Sequence, residues 1–552
     1  MIRRIARAAR AAILTKETLI AFLFLVGLIT FEMVFLNVPF SHYFGNFQRR
    51  EYLIGFGALL IVFLSWTWAL LFFRASLSAS YAARVVYFSL FAIAVGFEYG
   101  YQKAFSQFST VEDLRIALFD ATAEQWAGSL IAYANWLALI PCAVYAGLLL
   151  KFGTRRRRSW LVLGLVLAIL VGFYSAIAPF IFGRFTTISL NAFMRTVITS
   201  PWKWAGGYHG PRDAITYRSE RTPQNNIIFV VDESVRGDHL SINGYNRTTT
   251  PTLNELVKQG WLYNWGIAAA GNTCSFASDS LLLTGMNLSQ LPDTGFQIRR
   301  VPNIFQYARS MGYRTHFLDG QKESYWLGTS YDHAYVDDWQ LASTFASANP
   351  YERDAMVAKK LRQITENSTG NFIWVIKVGT HFPYARAFPQ STGEWQPSES
   401  SERIDPARKE QMINAYDNAL KYNLESFFEP LGVREWNSRN ILVYTSDHGQ
   451  TLSEHGEHHT HCGTGMDTFP TEAMVPLFII SRTPLSVDTG YRASHANIFA
   501  TLLDLMNFPA SERRRDYAPS LLTAKAGDSQ PRYFWVGNPN ERILGAKLAF
   551  DR

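Results

Sequence analysis

The chain has 552 residues, of which 48% are hydrophobic, and a formal net charge of +7, so it is too long for one ordinary domain. Much of the positive charge lies in short stretches between apolar segments of the N-terminal part, and no basic stripe with interleaved aromatic residues is present. This distribution argues against nucleic-acid binding and favours contact with lipid headgroups.

The N-terminal part contains apolar segments that are long enough to cross a bilayer. A transmembrane helix needs about 20 predominantly apolar residues. We therefore predict a transmembrane domain over residues 1–183 with five helices, at Leu19–Val38, Leu53–Phe73, Val85–Tyr101, Leu130–Leu150 and Trp160–Phe182. A cleaved signal peptide is the alternative for the first segment, but the similar segments that follow it favour a span.

Basic residues in the short loops predict the orientation of these spans. They precede the first span and lie between the second and third and between the fourth and fifth: Arg3, Arg4, Arg7, Arg10, Lys16, Arg74, Arg84, Lys151 and Arg155 to Arg158. Lys and Arg are enriched in cytoplasmic loops. The N-terminus is therefore predicted in the cytoplasm and everything after Phe182 in the periplasm, which makes the chain a multi-pass protein of the inner membrane.

The remainder divides into a linker and a second domain. Residues 184–223 have fewer apolar residues and mix aromatic residues with turn formers, which predicts a linker at the membrane interface. Over residues 224–552, short apolar runs alternate with helical segments, which predicts a mixed or parallel sheet with helices on both faces. The predicted strands are Ile227–Val231, Thr315–Leu318, Phe372–Val378, Ile441–Thr445 and Pro476–Ile480, and the predicted helices include Thr252–Gln259, Met356–Ile364 and Glu410–Phe427.

Two of these strands end in residues that bind metals. Glu233 follows the first predicted strand, and Asp447 and His448 follow the fourth. Open α/β sheets gather such residues at the carboxyl ends of their strands, so we expect the three to converge. Two carboxylates and an imidazole can hold zinc and leave a position for an attacking oxygen. Thr273, before a helical run through Leu283, is the candidate nucleophile, with an ordinary helix N-cap as its other interpretation.

The segment Val230–Leu253 resembles the opening of the catalytic domain in the bacterial phosphoethanolamine transferases. This group of the alkaline phosphatase superfamily includes lipid A-modifying and colistin-resistance enzymes. A Glu at the strand end is followed by an Arg and then by Asn-Gly-Tyr-x-Arg-x-Thr-x-Pro-x-Leu. The resemblance continues through the Thr-bearing turn, a Gly-x-His-x-Pro segment and a Ser-Asp-His-Gly strand end. It implies a periplasmic α/β/α sandwich of the alkaline phosphatase/sulfatase type.

The resemblance also implies roles for particular residues. Glu233, Thr273, Asp447 and His448 match the residues that hold a zinc ion, and Thr273 matches the nucleophile. His381 matches a histidine that contacts the phosphoryl group or a second zinc, and it would therefore bind substrate and assist catalysis.

His461 aligns with a second such histidine, with the same catalytic and substrate-binding roles. His455, His458 and His459 belong to the same run, and any of them is an alternative. Lys322 stands at the place of a substrate-contacting lysine, with a solvated surface lysine as the other interpretation.

Several positions depart from the family pattern. Gln450, Met474 and Ser275 stand where the family commonly has Glu, His and Thr, so a second metal and the identity of the acceptor stay open. Tyr416, in a Tyr-Asp-Asn segment, is interpreted as packing.

The cysteines leave one question open. Cys142 lies in a predicted span, whereas Cys274 and Cys462 lie in the predicted exported part. An oxidising compartment permits a disulfide between them, but a bridge and two free thiols are both compatible with the sequence.

The resemblance implies transfer of phosphoethanolamine from phosphatidylethanolamine to a lipopolysaccharide or other envelope glycan, through a covalent intermediate on Thr273. A phosphoglycerol transferase that uses phosphatidylglycerol is one alternative, and a catalytically inactive scaffold for envelope assembly is another. Sulfatase activity is disfavoured because it needs a Cys-x-Pro-x-Arg turn, or its Ser counterpart, and Cys274–Ser278 contains neither Pro nor Arg.

Overall fold

The structure is a computed structural model of the chain, which divides into two compact units, Met1–Gly206 and Gly207–Arg552. The domain boundaries predicted at residues 183 and 223 stay predictions. The structure describes residues 15–36, 52–105, 109, 134–153, 159–177, 188–205, 208, 210–321, 330–345, 347, 349–399, 404–456, 460–462, 468–514, 516–540 and 545–551.

The first unit is built of helices around an aromatic core. Phe24 packs edge-on against Phe73, and Phe91 packs against Tyr145, each with ring centroids 4.8 Å apart. The helices are α1 (Lys16–Phe35), α2 (Tyr52–Leu77), α3 (Tyr81–Phe105), α4 (Leu139–Phe152), α5 (Ser159–Ile177) and α6 (Ser189–Ala205).

Within the described ranges of this unit, two helical segments are long and apolar enough to cross a membrane, Lys16–Phe35 and Tyr81–Lys103. Shorter apolar helical segments are Val62–Leu77, Trp136–Phe152 and Val162–Gly172. The predicted count of five spans stays a prediction.

The segment predicted as a linker contains helix α6. This helix buries Leu190 and Ala192 among the other helices and leaves Val197 exposed. The lower apolar density of this segment therefore reflects an amphipathic helix instead of irregular chain. Its predicted position at the membrane interface stays a prediction.

The second unit contains a seven-stranded sheet with strand order β2-β7-β6-β1-β5-β3-β4. Strands β6-β1-β5-β3-β4 pair in parallel, whereas β7 runs antiparallel to β6 and β2. The sheet strands are β1 (Asn226–Asp232), β2 (Leu262–Ala269), β3 (Arg314–Asp319), β4 (Asp338–Gln340), β5 (Asn371–Ile376), β6 (Asn440–Ser446) and β7 (Met474–Ser481), and a separate hairpin pairs β8 (Tyr533–Val536) with β9 (Ala546–Ala549).

Alternate residues of the central strands enter two separate cores. In β1, Ile227 and Phe229 belong to one core, and Ile228 and Val230 belong to the other. Helices therefore cover both faces of the sheet. The helices of this unit are α7 (Pro251–Lys258), α8 (Ser275–Thr284), α9 (Gln297–Arg300), α10 (Ile304–Ser310), α11 (Arg353–Asn367), α12 (Lys409–Leu431) and α13 (Ala496–Leu505).

The predicted mixed sheet with helices on both faces is confirmed. Each predicted strand lies on an observed one, although β5 ends at Ile376, two residues before the predicted end. Strand β2 was not predicted, because Gly266 and a register shift between Asn264 and Ile267 interrupt its alternation. Helices α11 and α12 contain two of the predicted helices, and α7 ends at Lys258, one residue before the predicted end of the third.

Candidate active site

The strand order brings the two predicted metal-binding segments together. Strands β1 and β6 are parallel neighbours, and Asp232 lies opposite Ser446 at their carboxyl ends. The backbone N–H of Asp447 donates to the carbonyl of Asp232 over 2.9 Å, which extends this pairing past the strands. Glu233 and Asp447 therefore leave the sheet side by side.

Glu233, Asp447 and His448 form a compact buried cluster. One potential ligand atom from each lies within 4.8 Å of the others. Nε2 of His448 is 3.2 Å from Oδ2 of Asp447 and 3.7 Å from Oε1 of Glu233. The exposed fractions of the three residues are 3%, 3% and 0%, so water screens their charges little.

Neighbouring polar groups hold the three side chains in place. The hydroxyl of Ser234 donates to Oε1 of Glu233 over 2.6 Å, and the backbone N–H of Ser234 donates to Oδ1 of Asp447 over 3.0 Å. Nδ1 of His448 lies 2.7 Å from the carbonyl of Gly449. In the neutral ring, that contact favours the proton on Nδ1 and leaves the lone pair of Nε2 available to a metal ion.

The electrostatics of the cluster favour a bound cation. Burial raises the pKa of Asp447, and the neighbouring charge of Glu233 raises it further. Burial alone would lower the pKa of His448, but the carboxylates of Asp447 and Glu233 outweigh it, so this pKa is raised. Without a cation, the cluster concentrates negative charge in a place that cannot hydrate it.

Two orphaned oxygens support the same conclusion. Oγ1 of Thr273 and Oδ2 of Asp447 are buried, and neither makes a well-aligned hydrogen bond within the part of the chain that the structure describes. Carboxylate and hydroxyl oxygens with one imidazole nitrogen form a donor set that suits zinc. The residues present therefore fit the predicted metal.

Thr273 lies just before helix α8 but does not cap it. The helix begins at Ser275, with Cys274 at the N-cap position, so the N-cap interpretation of Thr273 is wrong. Two residues after Thr273, the hydroxyl of Ser275 is 3.1 Å from Nε2 of His448. Thr273 itself is fully buried, and its hydroxyl is not used by the helix end.

A disulfide joins Cys274 to Cys462, with Cα atoms 4.7 Å apart. The backbone N–H of Cys462 also donates to the carbonyl of Thr273 over 2.9 Å. The structure thus answers the question that the sequence left open, and it ties the Thr273 turn to the segment that carries His461.

The structure brings both candidate histidines to the cluster. The ring of His461 stacks on that of His448 with centroids 4.3 Å apart, and the ring of His381 lies 5.7 Å from His461. Among the alternatives, His455 stacks on Phe469 at 4.1 Å. His458, His459 and the predicted substrate lysine Lys322 lie outside the residues that the structure describes.

Gly379 positions the turn that carries His381. Its φ is +60°, and a Cβ atom would lie 2.4 Å from Oδ1 of Asp232 and 2.6 Å from the carbonyl of Glu233. Only glycine therefore fits between the ends of β1 and β5.

A buried ion pair beneath the cluster was missed by sequence reasoning. Nζ of Lys377 is 2.5 Å from Oδ2 of Asp232, and the hydroxyl of Tyr444 donates to the same oxygen over 2.5 Å. Oδ1 of Asp354 accepts the N–H of Val378 over 2.7 Å. Asp232 directly precedes Glu233, but no local pattern pairs it with Lys377, which directly follows strand β5.

His495 was also missed. Its Nδ1 accepts the N–H of Gly271 over 3.2 Å, and its Nε2 lies 3.1 Å from the hydroxyl of Thr445. Complete burial lowers the pKa of His495 to about 4. A neutral His495 therefore supports the turn that leads into Thr273. Nothing in its local sequence marks this role.

The departures from the family pattern lie around the cluster. Ser275 contacts His448, as described above, and Met474 begins β7. Gln450 is fully buried, and neither its amide nitrogen nor its amide oxygen has a hydrogen-bond partner in the described ranges.

Comparison with known proteins finds phosphoethanolamine transferases among the relatives of this chain. The Kdo(2)-lipid A phosphoethanolamine 7''-transferase of Escherichia coli (strain K12) is 25% identical over 274 residues, which are 49% of this chain and 46% of that protein. The phosphatidylethanolamine transferase Mcr-2 of Escherichia coli is 26% identical over 323 residues, 55% of this chain and 58% of that protein. The chain thus spans about half the length of the curated relatives that it matches.

Solved structures share the fold. The zinc complex of the C-terminal periplasmic domain of EptC from Escherichia coli has a TM-score of 0.51 at 21% identity, over 62% of this chain and 97% of that domain. The integral membrane protein lipooligosaccharide phosphoethanolamine transferase A from Neisseria meningitidis has a TM-score of 0.58 at 16% identity, over 90% of this chain and 96% of that protein. The predicted alkaline phosphatase/sulfatase type of the second domain is therefore confirmed.

The sequence profile of the family described as Sulfatase matches residues 225–508, which is just over half of the chain and includes β1, the Thr273 turn and the Asp447–His448 pair. The protein therefore belongs to the sulfatase family.

Proposed function

We propose that the protein transfers phosphoethanolamine from phosphatidylethanolamine to a lipopolysaccharide or other envelope glycan. The observation that carries this proposal is the buried Thr273 hydroxyl, which has no hydrogen-bond partner in the described ranges. It belongs to the turn whose Ser275 contacts His448 of the Glu233–Asp447–His448 cluster. The names of the relatives, phosphoethanolamine transferases that include lipid A enzymes, support the choice of group and acceptor.

Glu233, Asp447 and His448 would hold one zinc ion, and Thr273 would complete its shell. When bound, zinc lowers the pKa of a coordinated hydroxyl and stabilises negative charge on phosphoryl oxygens. The chain's own contribution is to bury the site, to fix the ligands through Ser234 and to hold Thr273 at a turn anchored by the disulfide.

The reaction would proceed in two displacements at phosphorus. In the first, Oγ1 of Thr273 loses its proton and bonds to phosphorus, while the bond to diacylglycerol breaks and diacylglycerol leaves with a proton. In the second, an acceptor oxygen loses its proton and bonds to phosphorus, while the bond to Thr273 breaks and its hydroxyl regains a proton. Each step therefore conserves charge and protons.

His461 and His381 are suited to the proton transfers. They lie in a row that begins at His448, with ring centroids 4.3 Å and then 5.7 Å apart, and His381 is exposed at the outer end. We propose that His461 and His381 bind the phosphoryl oxygens and protonate the leaving group. Lys322 stays a proposed substrate contact.

The first unit would anchor the enzyme where both the donor and the released diacylglycerol reside. Large apolar side chains on its helices are exposed, including Leu23 on α1, Phe63 on α2 and Leu165 on α5. Such surfaces favour contact with lipid tails. The proposal retains five spans in the inner membrane, with the catalytic domain in the periplasm, where a Cys274–Cys462 disulfide would persist.

Incubation of the zinc-loaded protein with phosphatidylethanolamine and no acceptor tests this function. Mass spectrometry should find a phosphoethanolamine adduct on the peptide that contains Thr273. Thr273→Ala should remove both adduct and transfer because it removes the nucleophilic oxygen, whereas Thr273→Ser should retain part of both. The exposed control Thr294→Ala should behave as the wild type.

Two outcomes would contradict the proposal. Full turnover by Thr273→Ala would exclude the covalent mechanism. An adduct formed from phosphatidylglycerol, with none from phosphatidylethanolamine, would instead assign a phosphoglycerol transferase.

A further inference from the structure

A cleft beside the metal-binding cluster is lined in part by polar residues that the proposed mechanism does not use. The cleft has a volume of about 260 Å³, and Glu233 and His381 form part of its wall. Its other polar lining residues are Gln321, Tyr351, Arg353 and Arg386. A group bound in this cleft would therefore lie next to the reacting phosphorus.

Arg353 is the most unusual residue of this lining. It is the first residue of α11, and its Nε is buried without a hydrogen-bond partner. Within the described ranges, its guanidinium makes no ion pair. An Arg side chain presents five N–H donors in a planar fork, and a buried donor that stays unpaired destabilises the protein. Arg353 thus brings to the cleft a guanidinium group whose charge no described carboxylate pairs with.

The acidic neighbours of Arg353 in the sequence are occupied elsewhere. The side chain of Glu352 accepts hydrogen bonds from Ser347 and, over 3.0 Å, from Asn349. Asp354 is buried and accepts the backbone N–H groups of Val378 and Gly379 over 2.7 and 3.1 Å. Neither carboxylate therefore neutralises the positive charge that Arg353 brings to the cleft.

The charges of the lining residues determine whether the cleft favours a cationic or an anionic group. Arg353 and Arg386 contribute two guanidinium groups, whereas the one acidic residue among the described lining residues, Glu233, belongs to the metal-binding cluster. Like charges repel in a partly buried cleft, so the ammonium of phosphoethanolamine is disfavoured there. A phosphate or carboxylate is favoured, because guanidinium groups bind these anions with two parallel hydrogen bonds.

We propose that Arg353 and Arg386 form an anion-binding subsite for the acceptor. This subsite selects acceptors that carry a phosphate or carboxylate at or beside the attacking oxygen, and it keeps the transferred ethanolammonium group out of the cleft. The inference rests on the proposed function, since it assigns the side from which the acceptor approaches the Thr273 adduct.

The kinetic test compares acceptors that differ in charge. Discharge of the adduct is measured with lipid A that carries its phosphates, with dephosphorylated lipid A and with a glycolipid that bears glucuronic acid. The wild type should prefer the charged acceptors, and Arg353→Gln and Arg386→Gln should each reduce that preference at least about tenfold through KM, since a charged hydrogen bond is worth about 1.5–3 kcal/mol. Comparison of the two charged acceptors shows whether the subsite prefers a phosphate or a carboxylate.

Two further variants make the test specific. Arg362→Gln removes a guanidinium from the same helix, where Arg362 forms an exposed pair with Glu366, and it should keep the wild-type preference. Arg353→Lys should retain part of the preference, because it keeps the charge but loses the planar fork. Unchanged charge preference in both Gln variants would overturn the proposal.

The donor half-reaction separates this proposal from the proposed function. Arg353→Gln and Arg386→Gln should form the Thr273 adduct at the wild-type rate, which also shows that they fold. Direct binding of phosphorylated lipid A to zinc-free protein in detergent gives a second measurement, and both variants should weaken it about tenfold. Absence of any adduct in the wild type would refute the transferase function while the binding result still decides the subsite. Binding that is equal in wild type and variants would refute the subsite itself.

Discussion

Asp232 and Asp447 end neighbouring strands and are buried to a similar extent, with 1% and 3% of their surface exposed, yet their surroundings differ. Asp232 receives hydrogen bonds from Lys377, Tyr444 and the backbone N–H of Glu233. Asp447 leaves Oδ2 without a well-aligned partner and faces a second carboxylate, Glu233. Complete pairing marks a carboxylate that holds the strands together, whereas incomplete pairing marks one that is prepared for a cation.

The same contrast separates two layers at the carboxyl edge of the sheet. The lower layer contains the carboxylates of Asp232 and Asp354 together with the ammonium of Lys377, which pairs with both. The upper layer contains Glu233 and Asp447, whose like charges repel. The protein therefore gains rigidity from the first layer and metal affinity from the second, and substitutions in the two layers should have different consequences.

The largest effect is expected in the lower layer. Lys377→Met leaves Asp232 as a buried carboxylate without its countercharge, which should lower the free energy of unfolding by about 3–5 kcal/mol. Urea unfolding followed by tryptophan fluorescence measures the change. Lys359→Met removes an exposed lysine from α11 and should cost little. A loss below about 1 kcal/mol in Lys377→Met would show that the pair contributes no rigidity.

Asp447→Asn in the upper layer should abolish zinc binding without unfolding the protein. A hundredfold excess of zinc over its Kd should stabilise the wild type by about 2.7 kcal/mol, and the variant should gain almost nothing. In zinc-free protein, the variant should be at least as stable as the wild type because it removes the repulsion with Glu233. Thermal unfolding with and without zinc measures both effects, with the exposed Asp528→Asn as control. Full zinc content in Asp447→Asn would remove Asp447 from the ligand set.

His495 predicts that the protein loses stability as the pH falls. Its pKa of about 4 lies below the ordinary value of 6.5. Between these two pH values the imidazole of His495 is protonated in the unfolded chain but neutral in the folded protein. Stability from this group is complete above pH 6.5 and is lost as the pH falls towards 4, by about 2 kcal/mol at pH 5. His495→Gln should remove this part of the loss between pH 7.5 and 5 in zinc-loaded protein. The exposed control His333→Gln should keep the wild-type slope, and a wild-type slope in His495→Gln would contradict the prediction.

The smallest effect is expected at Ser234, which directly follows Glu233, and it is a change in zinc affinity. Ser234→Ala removes the hydroxyl that donates to Oε1 of Glu233, so Glu233 should keep its place but lose its orientation. Outer-shell hydrogen bonds of this kind change metal affinity by about tenfold or more. Competition with a chelator measures the zinc affinity, and Ser280→Ala, on α8, should leave it unchanged. An unchanged affinity in Ser234→Ala would assign the hydroxyl to packing.

Local patterns in the sequence determined much of this protein. Apolar runs predicted β1 and β6, and polar residues directly after them predicted Glu233, Asp447 and His448 as ligands, because the carboxyl ends of parallel strands meet at one edge. The pattern around Val230–Leu253 identified the family. These predictions succeed because each depends on residues that are close in the chain, or on a rule that holds for every sheet of this type.

The tertiary structure alone decided the contacts between distant residues. Cys274 and Cys462 are 188 positions apart, and 145 positions separate Asp232 from Lys377, so no periodicity in the sequence could pair them. Arg353 and Glu233 line the same cleft because the fold places the first residue of α11 near the end of β1. The composition and spacing of the chain determine which residues can bind or react. The order and register of the strands determine which of these residues come into contact. Each such contact closes a long loop of chain, and only the packed core stabilises that closure.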